Sequence, residues 1–191
     1  MKRTLIMLVV IIAAVQSVKA FDGKRDQWVI GGGIGYAPAA KYEVRTTSDS
    51  KRGPAFQFLV GPAIDEHNLL VLDVNVCFIG ESHYWNYIYY DRSYYETSPS
   101  KRQGFIGLDW YHYFGGYRSS FFTTFGLGGS YFKIDGADHN KPGLAFQFGS
   151  GYAFGRGHAH IGAYVIMGSS SQDRVSYDHT QLTVLLTLIG F

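Results

Sequence analysis

The chain has 191 residues, among them 24 Gly, 15 Tyr, 14 Phe and a single Cys, with a formal net charge of +2 and a mean hydropathy of −0.05. One Cys excludes an internal disulfide framework and a four-Cys zinc site, and the near-neutral charge leaves no electrostatic footprint for nucleic acid. So few charges beside so many aromatic residues also exclude a disordered chain.

The first element in the chain is a targeting segment. Lys2 and Arg3 form a basic start, Leu5 to Val15 an apolar run, and Val18-Lys19-Ala20 a small-residue end suited to signal peptidase. A crossing helix needs about 20 apolar residues, so this run is too short to anchor the chain. The expectation is a signal peptide over residues 1–20, cleaved after Ala20, and an exported mature domain over residues 21–191.

Beyond it the chain alternates at period two. Eight segments stand out: Gln27–Ala37, Ala55–Ile64, Leu69–Gly80, Gly104–Phe114, Ser119–Lys133, Gly143–Phe154, His158–Gly168 and Gln181–Phe191. Each has roughly the length of a tilted transmembrane strand, and none shows an apolar stripe at helical spacing. The connections alternate as well. Those at 38–54, 81–103, 134–142 and 169–180 are long; those at 65–68, 115–118 and 155–157 are short. Short turns on one rim and long loops on the other are the plan of an outer-membrane barrel.

One parity of the first seven segments is uniform. It comprises the even positions of 28–36, 56–64, 70–78 and 106–114, the odd positions of 121–131, the even positions of 144–154 and the odd positions of 159–167. None of these residues carries a formal charge, and 14 are aromatic. The opposite parity holds Gln57, Asp73, Asn75, Asp109, Tyr111, Tyr113, Thr124, Ser130, Gln147, His158, His160, Tyr164 and many Gly. Alternation alone does not say which face points out. An eight-stranded barrel has room inside for little more than a packed core, so 14 large rings would overfill it. The aromatic residues also gather at the segment ends, Trp28, Phe114, Phe121 and Phe154 on one rim, Tyr36, Phe56, Phe78, Tyr131 and Phe146 on the other, where girdles meet the two bilayer interfaces. The apolar parity therefore faces lipid. Backbone groups at an open sheet edge would be unpaired there, so the sheet must close.

With its signal segment, eight alternating strands and terminal Phe191, the chain resembles the small outer-membrane barrels of the outer membrane protein A and X type. The resemblance covers the mature chain and is one of architecture. It implies an eight-stranded antiparallel up-and-down transmembrane β-barrel in a bacterial outer membrane, surrounded by outer-membrane lipid and lipopolysaccharide. It also implies that the assembly machinery reads the last strand through Phe191, and that Phe191, Ile189, Thr187, Leu185 and Thr183 face lipid. The other parity, Leu182, Val184, Leu186 and Leu188, is the more apolar, which leaves the facing of this strand open.

Three places are candidates for chemistry. Asp73 and Asp109 fall inward on neighbouring strands with no inward Lys or Arg in the strand bodies, so they form a polar lumen cluster that could recruit His160 as its cation. The bland alternative is a polar plug filling a narrow barrel. His158 and His160 share a face at a spacing compatible with one metal, but two His without a third ligand more often play structural roles. Enzymes of this architecture that act on lipid A resemble esterases with a His-x-Ser pair, which the stretch His158 to Gly162 lacks.

The connection Glu81 to Gln103 is the most distinctive stretch, with Tyr84, Trp85, Tyr87, Tyr89, Tyr90, Tyr94 and Tyr95. Tyr and Trp give large contact area for little conformational entropy, which suits recognition of an extracellular protein or glycan. The flanks of Asp91-Arg92-Ser93 suggest a projecting hairpin; alternatively part of the run extends the outer girdle. The functional expectation is a structural or adhesive surface role with no catalytic site and no cofactor. The alternatives are a lipid A-modifying enzyme and a narrow pore or hydrophobic-ligand transporter, the latter drawn from the many inward Gly.

Overall fold

The computed structural model describes residues 28–44, 47–79, 83–84, 96–97, 101–115, 119–134, 140–155, 158–172 and 175–190. The targeting segment and Phe191 lie outside them. The strands are β1 (Trp28–Val44), β2 (Thr47–Pro62), β3 (Asn68–Ile79), β4 (His83–Tyr84), β5 (Glu96–Thr97), β6 (Lys101–Tyr113), β7 (Ser120–Ile134), β8 (Asn140–Phe154), β9 (Ala159–Gln172) and β10 (Val175–Gly190). The eight long ones close into a barrel in the order β1-β10-β9-β8-β7-β6-β3-β2, and β4 pairs with β5 in a separate ladder. Every pairing is antiparallel, including β1 with β10, so no edge is left for lipid to meet. This is an eight-stranded up-and-down transmembrane β-barrel, as the alternation predicts.

The wall sorts its side chains by parity as expected. None of the predicted lipid-facing residues of the first seven segments is buried; Trp28 is 66% exposed, Phe121 67% and Leu127 49%. Asp73, Asn75, Asp109, Tyr111, Tyr113, Gln147, His160 and Tyr164 are wholly buried in the lumen. The Phe56 and Phe78 rings meet edge to face at 5.7 Å on the outer girdle, and Phe121 and Tyr152 at 5.1 Å towards the other rim.

The last strand corrects the facing implied by resemblance. Thr183, Thr187, Leu185 and Ile189 are buried in the lumen, while Leu182, Val184, Leu186 and Leu188 face out. Register leaves no choice: Leu188 pairs with Gly32 on β1 and Ala159 on β9, both outward positions, and Ile189 pairs with inward Gly31. Ile189 suits the inside because it shares a buried apolar cluster with Val29 and Leu59, and Leu185, between Thr183 and Thr187, is buried beside Gly35 of β1.

The two rims differ. On the turn rim the strands stop at the girdle. Phe114 N–H donates to Phe121 O at 3.0 Å, and the Asp65 carboxylate accepts from the N–H groups of His67 (2.7 Å) and Asn68 (2.8 Å). Those bonds, with the Asn68 side-chain amide first among them, hold the Asp65 carboxyl below its ordinary value of 3.8.

On the outer rim the strands run on. Most of the connection expected over 38–54 is ladder, with Ala40 to Val44 paired to Lys51 to Thr47. Parts of 134–142 and 169–180 are ladder too, up to Gln172 paired with Val175. β1 has 17 residues and β10 16, about five more than a tilted crossing needs, so roughly 17 Å of paired strand continues beyond the apolar belt. A bulge in β1 between Tyr36 and Ala39 flips its parity. Past it Ala40 and Tyr42 turn inward while Lys41 and Glu43 turn out.

Candidate functional site

The lumen is crossed at three levels. At the outer mouth the Tyr42 and Phe132 rings stand 4.9 Å apart, and Tyr177 stacks on Phe132 at 4.9 Å. Tyr42 is on β1 and Phe132 on β7, four strands apart in either direction round the barrel, so this contact spans its full width. Lys101 of β6 donates to the Tyr42 hydroxyl at 2.5 Å, with its ammonium 4.6 Å from the ring centroid. Together they form an aromatic lid.

Below the lid lies a band of amides and carboxylates. Gln147 of β8 donates through Nε2 to Asp73 Oδ2 at 2.9 Å and to Asp109 Oδ2 at 2.5 Å, joining β8 to β3 and β6 across the lumen. Gln57 Nε2 donates to Asp73 Oδ2 at 2.6 Å and to the Tyr111 hydroxyl at 3.0 Å, while Gln57 Oε1 accepts from Thr187 at 2.9 Å. Tyr111 donates to Asp73 Oδ2 at 3.3 Å. Asn75 reaches Gln147 Oε1, and Gln181 reaches Asn75 Oδ1, each at 3.4 Å.

The third level is aromatic. The Tyr113 hydroxyl lies 3.2 Å from His160 Nε2, joining β6 to β9, and Phe122 stands 5.0 Å from the His160 ring. Tyr111 and Tyr113 stack at 6.5 Å. Inward Gly make the sockets. A Cβ on Gly149 would fall 2.6 Å from atoms of both Thr124 and Tyr164, and one on Gly126 would fall 1.6 Å from Asp109 Oδ1. The lumen glycines are room for side chains of the plug.

The structure thus brings Asp73 and Asp109 together, with an amide between them. Among the described residues no Lys or Arg forms an ion pair with either; the inward-turned Lys101 is engaged at the lid. His160, expected as the cation of this cluster, is bound in the aromatic level to Tyr113. His158 precedes β9 and meets the Ile189 carbonyl at 3.1 Å through Nδ1. No group of three metal-ligating side chains occurs among the described residues.

Sequence reading placed Gln57, Asn75 and Gln147 inside but did not single them out as the connectors. The signal was there in Phe146-Gln147-Phe148, a lone polar residue between two lipid-facing rings. The lid was missed because Tyr42, Phe132 and Tyr177 fall at or beyond the ends of the alternating segments, where parity is harder to read.

Of the aromatic connection, Trp85, Tyr87, Tyr89, Tyr90, Tyr94 and Tyr95 lie outside the described residues. At its base Tyr84 pairs with Glu96 and His83 with Thr97, antiparallel, the foot of a hairpin.

No family model and no curated protein matches this chain. Among solved structures it is similar in fold to the attachment invasion locus protein Ail of Yersinia pestis, in complex with the heparin analogue sucrose octasulfate. The identity is 13% and the TM-score 0.49, with 85% of this chain and 99% of that one covered. Neisserial surface protein A is similar at 13% identity and a TM-score of 0.48, covering 84% and 95% of the two chains. The outer membrane protein OprG of Pseudomonas aeruginosa is similar at 14% identity and a TM-score of 0.46, covering 87% and 96%.

Proposed function

We propose that this protein is a plugged barrel of the bacterial outer membrane whose work is done above the lipid, by surface recognition through its outer hairpins. One observation carries the reading. The lumen is bridged wall to wall at three levels, while the strands run on past the apolar belt as paired hairpins. A protein built for axial conduction gains nothing from Tyr42 and Phe132 meeting across its mouth. A rigid platform for the 81–103 connection gains stiffness from every one of these contacts. The Asp73, Asp109 and Gln147 group is then the fastener of the plug.

The partner class favoured by the Tyr- and Trp-rich composition of that connection is an extracellular protein or glycan. The test is deletion of residues 85–95 from the full chain displayed on cells. The expected result is normal heat-modifiable mobility, showing an intact barrel, with loss of adhesion to matrix proteins and glycans. Adhesion unchanged by the deletion overturns the reading. Liposome swelling above the protein-free background would instead favour the pore reading.

A further inference from the structure

Outside the barrel, just above the outer girdle, three cations follow one another around one side of the wall. Arg102 on β6 is paired in register with Lys133 on β7 and, on its other side, with Phe78 on β3. Both partners are exposed on the lipid-facing parity, which fixes Arg102 to the same face. Arg52, exposed on β2, carries the same parity upward past Phe56 and Pro54. Beneath them lie the Phe56–Phe78 pair and Tyr131, whose phenol is within electrostatic reach of Arg102. A Cβ on Gly104 would meet that phenol at 3.1 Å, so the ring lies along the wall under the two cations.

Like charges directly opposite on neighbouring strands destabilise a ladder. Here the arrangement is held on paired backbone rather than on a loop, at the height where lipid headgroups begin. Next along from Arg52, on β1 and β10, the rim is mixed, with Lys41 ion-paired to Glu43 and Asp178 beside them. Lys133 and Arg52 form no ion pair with a carboxylate among the described residues. A planar guanidinium next to an ammonium, above an aromatic shelf, is a fit for a phosphate with an acyl chain beneath it.

We propose that Arg102 and Lys133, with Arg52 as an outlying third, bind the phosphate of an anionic outer-leaflet lipid whose acyl chains lie on Phe56, Phe78 and Tyr131. This rests on the outer-membrane reading. The full mature chain is refolded into phosphatidylcholine vesicles with and without diphosphoryl lipid A, extracted in mild detergent, and the lipid A retained per barrel is measured by mass spectrometry. The expected result is retention about tenfold lower or more for R102Q/K133Q and a smaller loss for R52Q, with K41Q unchanged. Wild-type protein is expected to retain dephosphorylated lipid A no better than R102Q/K133Q does.

Equal retention by a heat-modifiable, folded R102Q/K133Q barrel overturns the proposal. So does equal retention of the dephosphorylated lipid, or displacement by millimolar inorganic phosphate, which would make this a site for free anions. A wild-type chain that fails to enter phosphatidylcholine vesicles brings down the membrane reading itself. One that enters without phosphate-dependent retention brings down this site alone.

Discussion

The belt of the barrel and its outer extension are made by the same strands and obey different rules. Within the belt every strand keeps one parity, no lipid-facing residue carries a charge, and the turn rim closes in tight connections. Above it β1 bulges, β8 shifts register between Pro142 and Ala145, and Lys, Arg, Glu and Asp take outward positions. The cause is the solvent. In hydrocarbon an unpaired backbone group or a charge costs several kcal/mol, whereas in water both are hydrated. Uniformity below and irregularity above are the same chain answering two media.

The sharpest way to break this contrast is to move a charge down. Leu127→Arg, mid-belt on β7, is expected to cost about 2–4 kcal/mol and to block insertion into vesicles, read as loss of the heat-modifiable band. The same change at exposed Thr180, in the extension, is expected to leave insertion intact.

Next in size is the fastener. Gln147→Ala removes the donor shared by Asp73 and Asp109; Asp73 keeps Gln57 and Tyr111, while buried Asp109 loses its amide, an expected loss of about 2 kcal/mol in urea unfolding. The double change D73N/D109N keeps the shape and replaces both acids by amides, and is expected to be neutral or stabilising.

A lid variant comes third. Tyr42→Ala loses the ring contact to Phe132 and the Lys101 hydrogen bond, about 2 kcal/mol in the same assay, and is expected to leave insertion untouched.

The smallest effect belongs to the turn rim. The Asp65 carboxyl is held below 3.8 in the folded protein, so its contribution is present above that pH and is lost as pH falls through the lower folded value. Asp65→Ala is expected to lower the melting temperature slightly at pH 7, and the difference from wild type is expected to vanish in strongly acidic buffer.

The belt was legible because lipid leaves a sequence little freedom. Trp28 to Tyr36, Leu70 to Phe78 and Phe121 to Tyr131 show their outward faces to anyone counting by twos. β10 was ambiguous because it is apolar on both sides, with Leu182, Val184, Leu186 and Leu188 facing out and Leu185 and Ile189 facing in. There the pairing register decides, and register is not written in one strand. The lumen carboxylates were visible as inward residues. Their connection through Gln147 was not, because it joins strands three places apart in the barrel. The hairpins passed for loops because 40–54 mixes charged, small and apolar residues on both faces, which water permits in a paired strand as readily as in an irregular one.

The bulge in β1 acts as a switch in phase. Straightening β1 here with no residue removed would slip everything above it by one against β2 and β10 and exchange its two sides. Tyr42 would swing out of the lid into the surroundings, and Lys41 and Glu43 would swing into the mouth. The barrel below would be untouched, yet the surface presented above the membrane and the seal beneath it would change together. Deleting one residue between Tyr36 and Ala40 would instead remove the bulge and leave Tyr42 paired with His179 and facing in, so a homologue lacking the bulge should carry its aromatic lid residue one position earlier.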